Sequence, residues 1–392
     1  MKFNIWKDCP KVPITELLSF IVDNRGKTVP TADAGWKLIA TNCVTNNTLF
    51  PVYEKVRYLT QETYETWFRA HPIPGDILFV NKGTPGRVCM VPDPVDFCIA
   101  QDMIALRADD EKIYNKYLFA VLRSRKIQQQ IYNTNVGDVI PHFKKQFMDQ
   151  LLIPVPDRRI QEIIGNLYYE LSYKTELNKK INENLAVLMQ AIYQEQFSNI
   201  NLSEKQGTLS DICSYSKGKV AISELNINTY FSTENMLPGK AGSTKATNLP
   251  SILQTTACHK GDTLISNIRP YFKKIIYCED ECGCSTDVLC FVPVQFQYAA
   301  YLYSTLYDDK FFDFMVAGSK GTKMPRGDKQ QIMTYPIVIP SKEELEKFNA
   351  VTFPILEQLN SNRVESKQLS ALRDTLLPKL MSGEIDISGL DL

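Results

Sequence analysis

The side chains with most chemistry to offer are basic ones set among Gly and Pro. Lys82 and Arg87 bracket Gly83-Thr84-Pro85-Gly86, and His142, Lys144 and Lys145 follow Pro141. Arg123, Arg125 and Lys126 crowd together between them. Farther along, Lys260, Arg269, Lys273 and Lys274 stand against one acid, Asp262, and Lys320, Lys323, Arg326 and Lys329 against Asp328. Loops of this kind, with Thr84 beside the first pair, bring cations and main-chain N–H groups to phosphates and long side chains to base edges. A solvated surface loop has the same composition, so each cluster alone carries both readings. Their recurrence at matching places in the chain favours binding, because a duplicated binder would keep its binding edge twice.

Other chemistry is thin. Cys278, Cys282, Cys284 and Cys290 form the one metal-like group, but zinc sites favour two short Cys knuckles set well apart. Cys290 also falls in an apolar, strand-like run, where a thiol packs as a small hydrophobe. No metal is expected, with a zinc site as the open alternative. There is no phosphate-binding G-x-x-x-x-G-K-[ST] loop, no G-x-G-x-x-G between a strand and a helix, and no Asp/Asn-Pro-Pro-aromatic tetrapeptide. The three histidines, His71, His142 and His259, have neither metalloprotease nor nucleophile-turn spacing. The chain is expected to bind rather than catalyse, with no cofactor of its own.

The elements that position these loops come in two copies. Gly75–Val80 returns as Gly261–Ser266, with Asn81 matching Asn267 and Arg87 matching Lys273; Asp102 matches Asp287. Gly137, Pro141, Lys145, Gln146 and Pro156 then match Gly321, Pro325, Lys329, Gln330 and Pro340. Order is kept and the frame drifts by about two residues, far too long a period for a solenoid repeat. Short apolar runs at 75–80, 87–91, 98–106, 261–266, 274–278 and 286–292 have strand character, as do 151–155 and 335–339. Helix-period patterns occupy 114–132 and 298–316.

Each copy ends in a heptad-like stretch. The first carries Ile160, Ile164, Leu167, Leu171, Ile181, Leu185, Leu188 and Ile192; the second carries Leu345, Phe348, Ile355, Leu359, Leu369, Leu376 and Leu380. Pro354 is expected to kink the second or delay its start. Asn178 and Asn362 match one another on the seam frame, either as buried register-setting residues or as solvated seam defects. Forty helical residues reach about 60 Å, too long to be covered by one globule, so the two stretches are expected to pair antiparallel and hold the globules at opposite ends. The fold class expected is therefore α+β: two mixed α/β domains joined by two long antiparallel coiled-coil helices in a pseudo-twofold repeat. The limits are 1–156 for the first globule, 157–200 for the central helix, 201–340 for the second globule and 341–392 for the last helix and tail.

Composition agrees with globular domains: 392 residues, 44% hydrophobic and 22% charged, enough for two or three cores. The balance of 44 Lys+Arg against 44 Asp+Glu excludes a uniformly basic nucleic-acid binder but not local patches. No run approaches a membrane span, and Met1–Pro13 lacks signal-peptide character. The ten cysteines then read as reduced thiols, and a cytoplasmic location is expected.

At this point the chain resembles the specificity subunits of type I restriction-modification systems. The resemblance rests on an ordered set: Pro-Gly-Asp-Ile-Leu-Phe-Val (74–80) with Gly-Thr-Pro-Gly-Arg (83–87), Ile-Ala-Gln-Asp-Met-Ile-Ala-Leu-Arg (99–107), Glu-Leu-Asn-Lys-Lys-Ile-Asn-Glu-Asn-Leu (176–185), Gly-Asp-Thr-Leu-Ile-Ser-Asn-Ile-Arg-Pro-Tyr (261–271) and Leu-Arg-Asp-Thr-Leu-Leu-Pro-Lys-Leu-Met-Ser-Gly-Glu-Ile (372–385). It implies that each globule is a target-recognition domain reading half of a split, asymmetric double-stranded DNA sequence. The helices would set the spacing and dock two methyltransferase subunits, which would carry S-adenosylmethionine, while restriction subunits supply motor and nuclease. Leu171, Asn178, Ile181, Leu185, Leu359, Asn362, Leu369 and Leu376 are the expected helix-pair and docking positions. Where the first copy has Asn-Lys-Gly-Thr-Pro-Gly the second has Asn-Ile-Arg-Pro-Tyr-Phe, so the two are expected to read different bases. The alternatives are a self-sufficient DNA-modifying enzyme and a coiled-coil scaffold that reads no DNA.

Overall fold

A computed structural model describes residues 4–134, 141–197 and 206–385. Gly137, the limit placed at 200/201 and the acidic tail beyond 385 lie outside the described residues. The chain divides into two compact units, Met1–Lys179 with Val364–Leu392, and Lys180–Arg363. Each therefore holds a globule and a portion of both long helices.

In the first unit, strands Leu18–Val22, Met103–Ala108, Ile77–Val80 and Val88–Met90 form an antiparallel sheet in that spatial order. Alternation along its strands sends Ile77, Phe79, Ile104 and Leu106 into a core with the helices, and Leu78, Val80, Met103 and Ala105 into a second core. Both faces are thus covered, which is why Ile77–Val80 reads as an unbroken apolar run. A further sheet joins Arg57–Leu59, Trp36–Ile39 and Phe97–Ile99, the first two of which lie outside the runs with strand character. It takes one end of the run expected as a single strand over 98–106, which breaks at Gln101–Asp102, with Asp102 in the left-handed region (φ 69°).

The second unit repeats the plan with Cys213–Tyr215, Val288–Pro293, Thr263–Ser266 and Ile275–Tyr277. Pairing register is conserved as well: Ile77 faces Leu106 in one unit, and Thr263 faces Phe291 in the other, each at the matched position of the repeat. Tyr117 donates its hydroxyl to the Pro154 carbonyl (2.8 Å), and its counterpart Tyr301 to that of Val338 (2.6 Å). The helical pattern at 114–132 is two helices, Asn115–Arg123 and Arg125–Asn133, split where Ser124 caps the second. Asp308 splits Ala299–Tyr307 from Asp309–Ala317 in the same way. Ser and Asp compete for nearby main-chain N–H groups and so start new helices rather than continue old ones.

The long helices are Arg158–Phe197 and Lys342–Ser382. Within the first unit they run antiparallel: Ile164, Leu167 and Leu171 meet Leu376, Leu377 and Leu380, while Asn178 reaches Glu365. The end of the second helix also closes the first globule, since Leu377, Leu380 and Met381 share its core with Phe119 and Tyr168. In the second unit Asn182 bonds Asn362 and the Leu359 carbonyl, and Met189, Tyr193 and Phe197 pack with Leu345, Phe348 and Ile355.

Two expectations need correction. Helix Lys342–Ser382 begins well before Pro354 and runs through it, so its start is not delayed; Pro354 and Ala350, whose carbonyl loses its donor, are both exposed, so water can replace the missing bond. Leu188 is 49% exposed, and its place inside is taken by Met189. The buried positions there, Met189, Tyr193 and Phe197, step by four, because this stretch packs against Tyr301 of the globule as well as against Phe348 of the other long helix.

Candidate nucleic-acid interface

The basic loops come together as a duplicated device. After strand Ile77–Val80 the chain is fixed by four main-chain contacts: Asn81 N–H to the Asp102 carbonyl, Phe143 N–H to that of Asn81, Gly83 N–H to that of Pro141, and a bridge between Lys82 and His142. After Thr263–Ser266 the same four recur, as Asn267 with Asp287, Gly327 with Asn267, Arg269 with Pro325, and Ile268 with Arg326. Every partner is the matched residue of the repeat. In each unit, segments about sixty residues apart thus lie side by side, which brings the basic residues of both near one another.

In the first unit the loop edge carries Lys82, Thr84, His142, Lys144 and Lys145, with Arg87 exposed at the end of the loop. Lys82 stands 4.0 Å from Asp102, and Lys145 (3.4 Å) shares Asp23 with Arg25 (2.7 Å). The Arg25 hydrogen bonds hold Asp23 far below the usual carboxylate range, so it stays charged. Burial and then Lys82, Arg25 and Lys144 push His142 below its ordinary value. This favours the neutral imidazole, so the positive charge of the edge comes chiefly from the lysines. Beside them Gly83, Thr84, Pro85, Arg125, Gln128, Tyr132 and Pro141 line a groove of about 470 Å³. Arg123 does not join it; its guanidinium bonds the main-chain carbonyls of Thr45 (3.1 Å) and Val88 (2.8 Å).

The second unit spends more of its charge internally. Lys273 pairs with Asp309 (2.8 Å), Lys274 donates to the Thr233 carbonyl, Arg326 pairs with Asp287 (3.0 Å) and Lys320 with Asp328. Lys329 lies 5.9 Å from the Tyr215 ring centre. Lys320, Lys323 and Arg326 nevertheless stay exposed, as do Tyr271 (49%) and Phe272 (39%). Arg25, Lys240 and Tyr132 also border these edges but come from segments remote in sequence, and no local motif marks them.

The helix positions fall elsewhere. Asn178 and Asn362 are both buried within their units, with Asn178 bonded to Glu365 (2.6 Å) and Ser366 (3.4 Å), so both are seam residues rather than solvated defects. Leu171, Ile181, Leu185, Leu359, Leu369 and Leu376 are buried or half-buried. Exposed apolar side chains on the same helices are different ones: Tyr173, Leu177, Val364 and Leu372 in the first unit, and Val187, Leu188 and Val351 in the second.

All ten cysteines are free and buried. Cys278, Cys282, Cys284 and Cys290 pack with Cys258, Leu264, Ile276 and Val288 beneath the second unit's sheet. Among the described residues no group of three or more His, Cys, Asp or Glu side chains is arranged to hold a metal. Among them too, no helix is long and apolar enough to cross a membrane.

Residues 21–187 match the family described as type I restriction modification DNA specificity domain. A stretch of 76 residues is 34% identical to the MjaIX specificity subunit of Methanocaldococcus jannaschii, covering 19% of this chain and 18% of that one. Another of 95 residues is 32% identical to the HindI specificity subunit of Haemophilus influenzae, covering 24% and 21%. The chain thus matches only about a fifth of the length of these curated relatives. The fold is shared over nearly the whole length with the crystal structure of a type I system S subunit from M. genitalium, with TM-score 0.61 and 18% identity over 97% of this chain and 98% of that one.

Proposed function

We propose that this chain, a relative of the type I restriction-modification specificity subunits, is the sequence-reading, non-catalytic component of a DNA modification and restriction assembly. Each unit reads one part of a split, asymmetric duplex target through its paired basic loops. The carrying observation is the duplicated device itself: two units with the same loop clasp and register but different loop residues, as two readers of different half-sites require. Methyltransferase subunits, which would bring S-adenosylmethionine, and restriction subunits are the proposed partners. The exposed apolar residues of the long helices, such as Tyr173, Leu177, Val187 and Leu188, offer them docking area that the buried seam does not.

Full-length chain assembled with its methyltransferase is expected to bind duplex DNA with sequence preference, protecting two separated tracts. Reversing Lys320, Lys323 and Arg326 to Glu is expected to weaken binding and flatten its salt dependence, because phosphate contacts release counterions. A single protected tract, or unchanged affinity and salt slope, would contradict the reading. Transfer of a methyl group to DNA by the purified chain alone would revive the enzyme alternative.

A further inference from the structure

The two loop clasps differ at one position in a way that sequence economy does not explain. Gly83 takes φ 84°, in the left-handed region, and its N–H holds the Pro141 carbonyl. Its counterpart Arg269 takes φ 51° and holds the Pro325 carbonyl through the same bond. The clasp therefore demands left-handed backbone in both units. Glycine meets that demand without strain, whereas a long side chain with a Cβ does not. A non-glycine residue kept in such a conformation signals a use for its side chain.

That side chain is in an unusual state. Arg269 is half-buried, its Nε is buried without a hydrogen-bond partner, and its guanidinium makes no ion pair among the described residues. Its basic neighbours differ: Lys273, Arg326 and Lys320 each pair with a carboxylate, and Lys274 with a carbonyl. A phosphate contact needs only a charge on an exposed, mobile stem, as Lys323 offers. A guanidinium whose Nε is buried on a clasped backbone and whose terminal nitrogens make no ion pair among the described residues keeps that two-nitrogen fork for a planar, two-acceptor target.

We propose that Arg269 is a specificity-determining residue of the second unit and reads a guanine, its terminal nitrogens forking onto O6 and N7 in the major groove. This rests on the DNA-reading function proposed above. The first unit, with Gly83 at that place, has no equivalent reader there.

The test is enrichment from a randomised duplex library by the full chain with its methyltransferase, using wild type, Arg269→Gly and Arg269→Lys. Wild type is expected to enrich a motif with a fixed guanine in one half-site. Arg269→Gly is expected to lose preference at that position by about ten- to a hundred-fold, keep the other half-site and melt no lower than wild type. Arg269→Lys is expected to keep the salt slope while losing most of the preference. Unchanged selection in both variants would overturn the inference. So would a uniform loss of affinity for all sequences with a shallower salt slope, which marks a phosphate contact, or a lower melting temperature of Arg269→Gly, which marks a structural role. If wild type enriches no sequence, the DNA-reading function fails first and takes this inference with it.

Discussion

Asp76 and Asp262 follow matched glycines and are buried alike, at 1% and 2% exposure, but their charges are met differently. Asp76 accepts both arms of the Arg107 fork at 2.9 Å. The residue matching Arg107 is Val292, so Asp262 has instead the His259 N–H (2.8 Å), the Cys290 thiol (3.4 Å) and the exposed His259 imidazole at 3.7 Å. Removing one partner of a buried pair strands the other charge, so Arg107→Met is expected to destabilise the chain by about 3 kcal/mol in denaturant titration. A change under about 1 kcal/mol would show that water reaches Asp76. In the second unit burial holds the Asp262 carboxyl above its ordinary value, favouring the protonated form in the folded chain. The stability this contributes is complete below the unfolded value of about 4 and is lost as pH rises through the raised folded value. Asp262→Asn keeps an acceptor for the His259 N–H, so its melting temperature is expected to vary less with pH above about 4 than that of wild type. Parallel curves for the two proteins would contradict this.

At the scale of elements, Gly165 shows how packing overrides propensity. Alanine is the better helix former, yet a Cβ at Gly165 would lie 2.6 Å from the main-chain nitrogen of Tyr117. Gly165→Ala is accordingly expected to lower stability by about 1–3 kcal/mol, despite the helical gain; a stabilised variant would mean the two helices can part at no cost. Strands and long helices were legible because their apolar periods survive in the sequence: Ile77–Val80 as a run, Ile164 to Leu171 as a seam. Breaks were less so. Ser124 and Asp308 end helices through cap bonds that local composition only weakly signals, and Leu188 lost its place to Met189 because this stretch meets the globule as well as the other long helix. The sheet built on Trp36–Ile39 pairs strands far apart in the chain, and of its strands only Phe97–Ile99 touched a run with strand character.

For the whole molecule, the repeat was the most informative feature of the sequence, and the structure converts it into matched register, matched clasp bonds and matched tyrosine contacts. The candidate edge was legible in part. Lys82, Lys144, Lys145 and Lys323 are exposed as their loop composition suggested, whereas Lys274 and Arg123 turn inward to carbonyls that only the fold brings near. The central claim is that each unit is an independent reader. It is tested most directly by footprinting the assembled chain at saturating concentration on DNA carrying its selected target, with Lys82, Lys144 and Lys145 reversed to Glu. The expected result is loss of protection over one tract with the other retained. Loss of both tracts together, or of neither, would contradict the assignment of one reader to each unit.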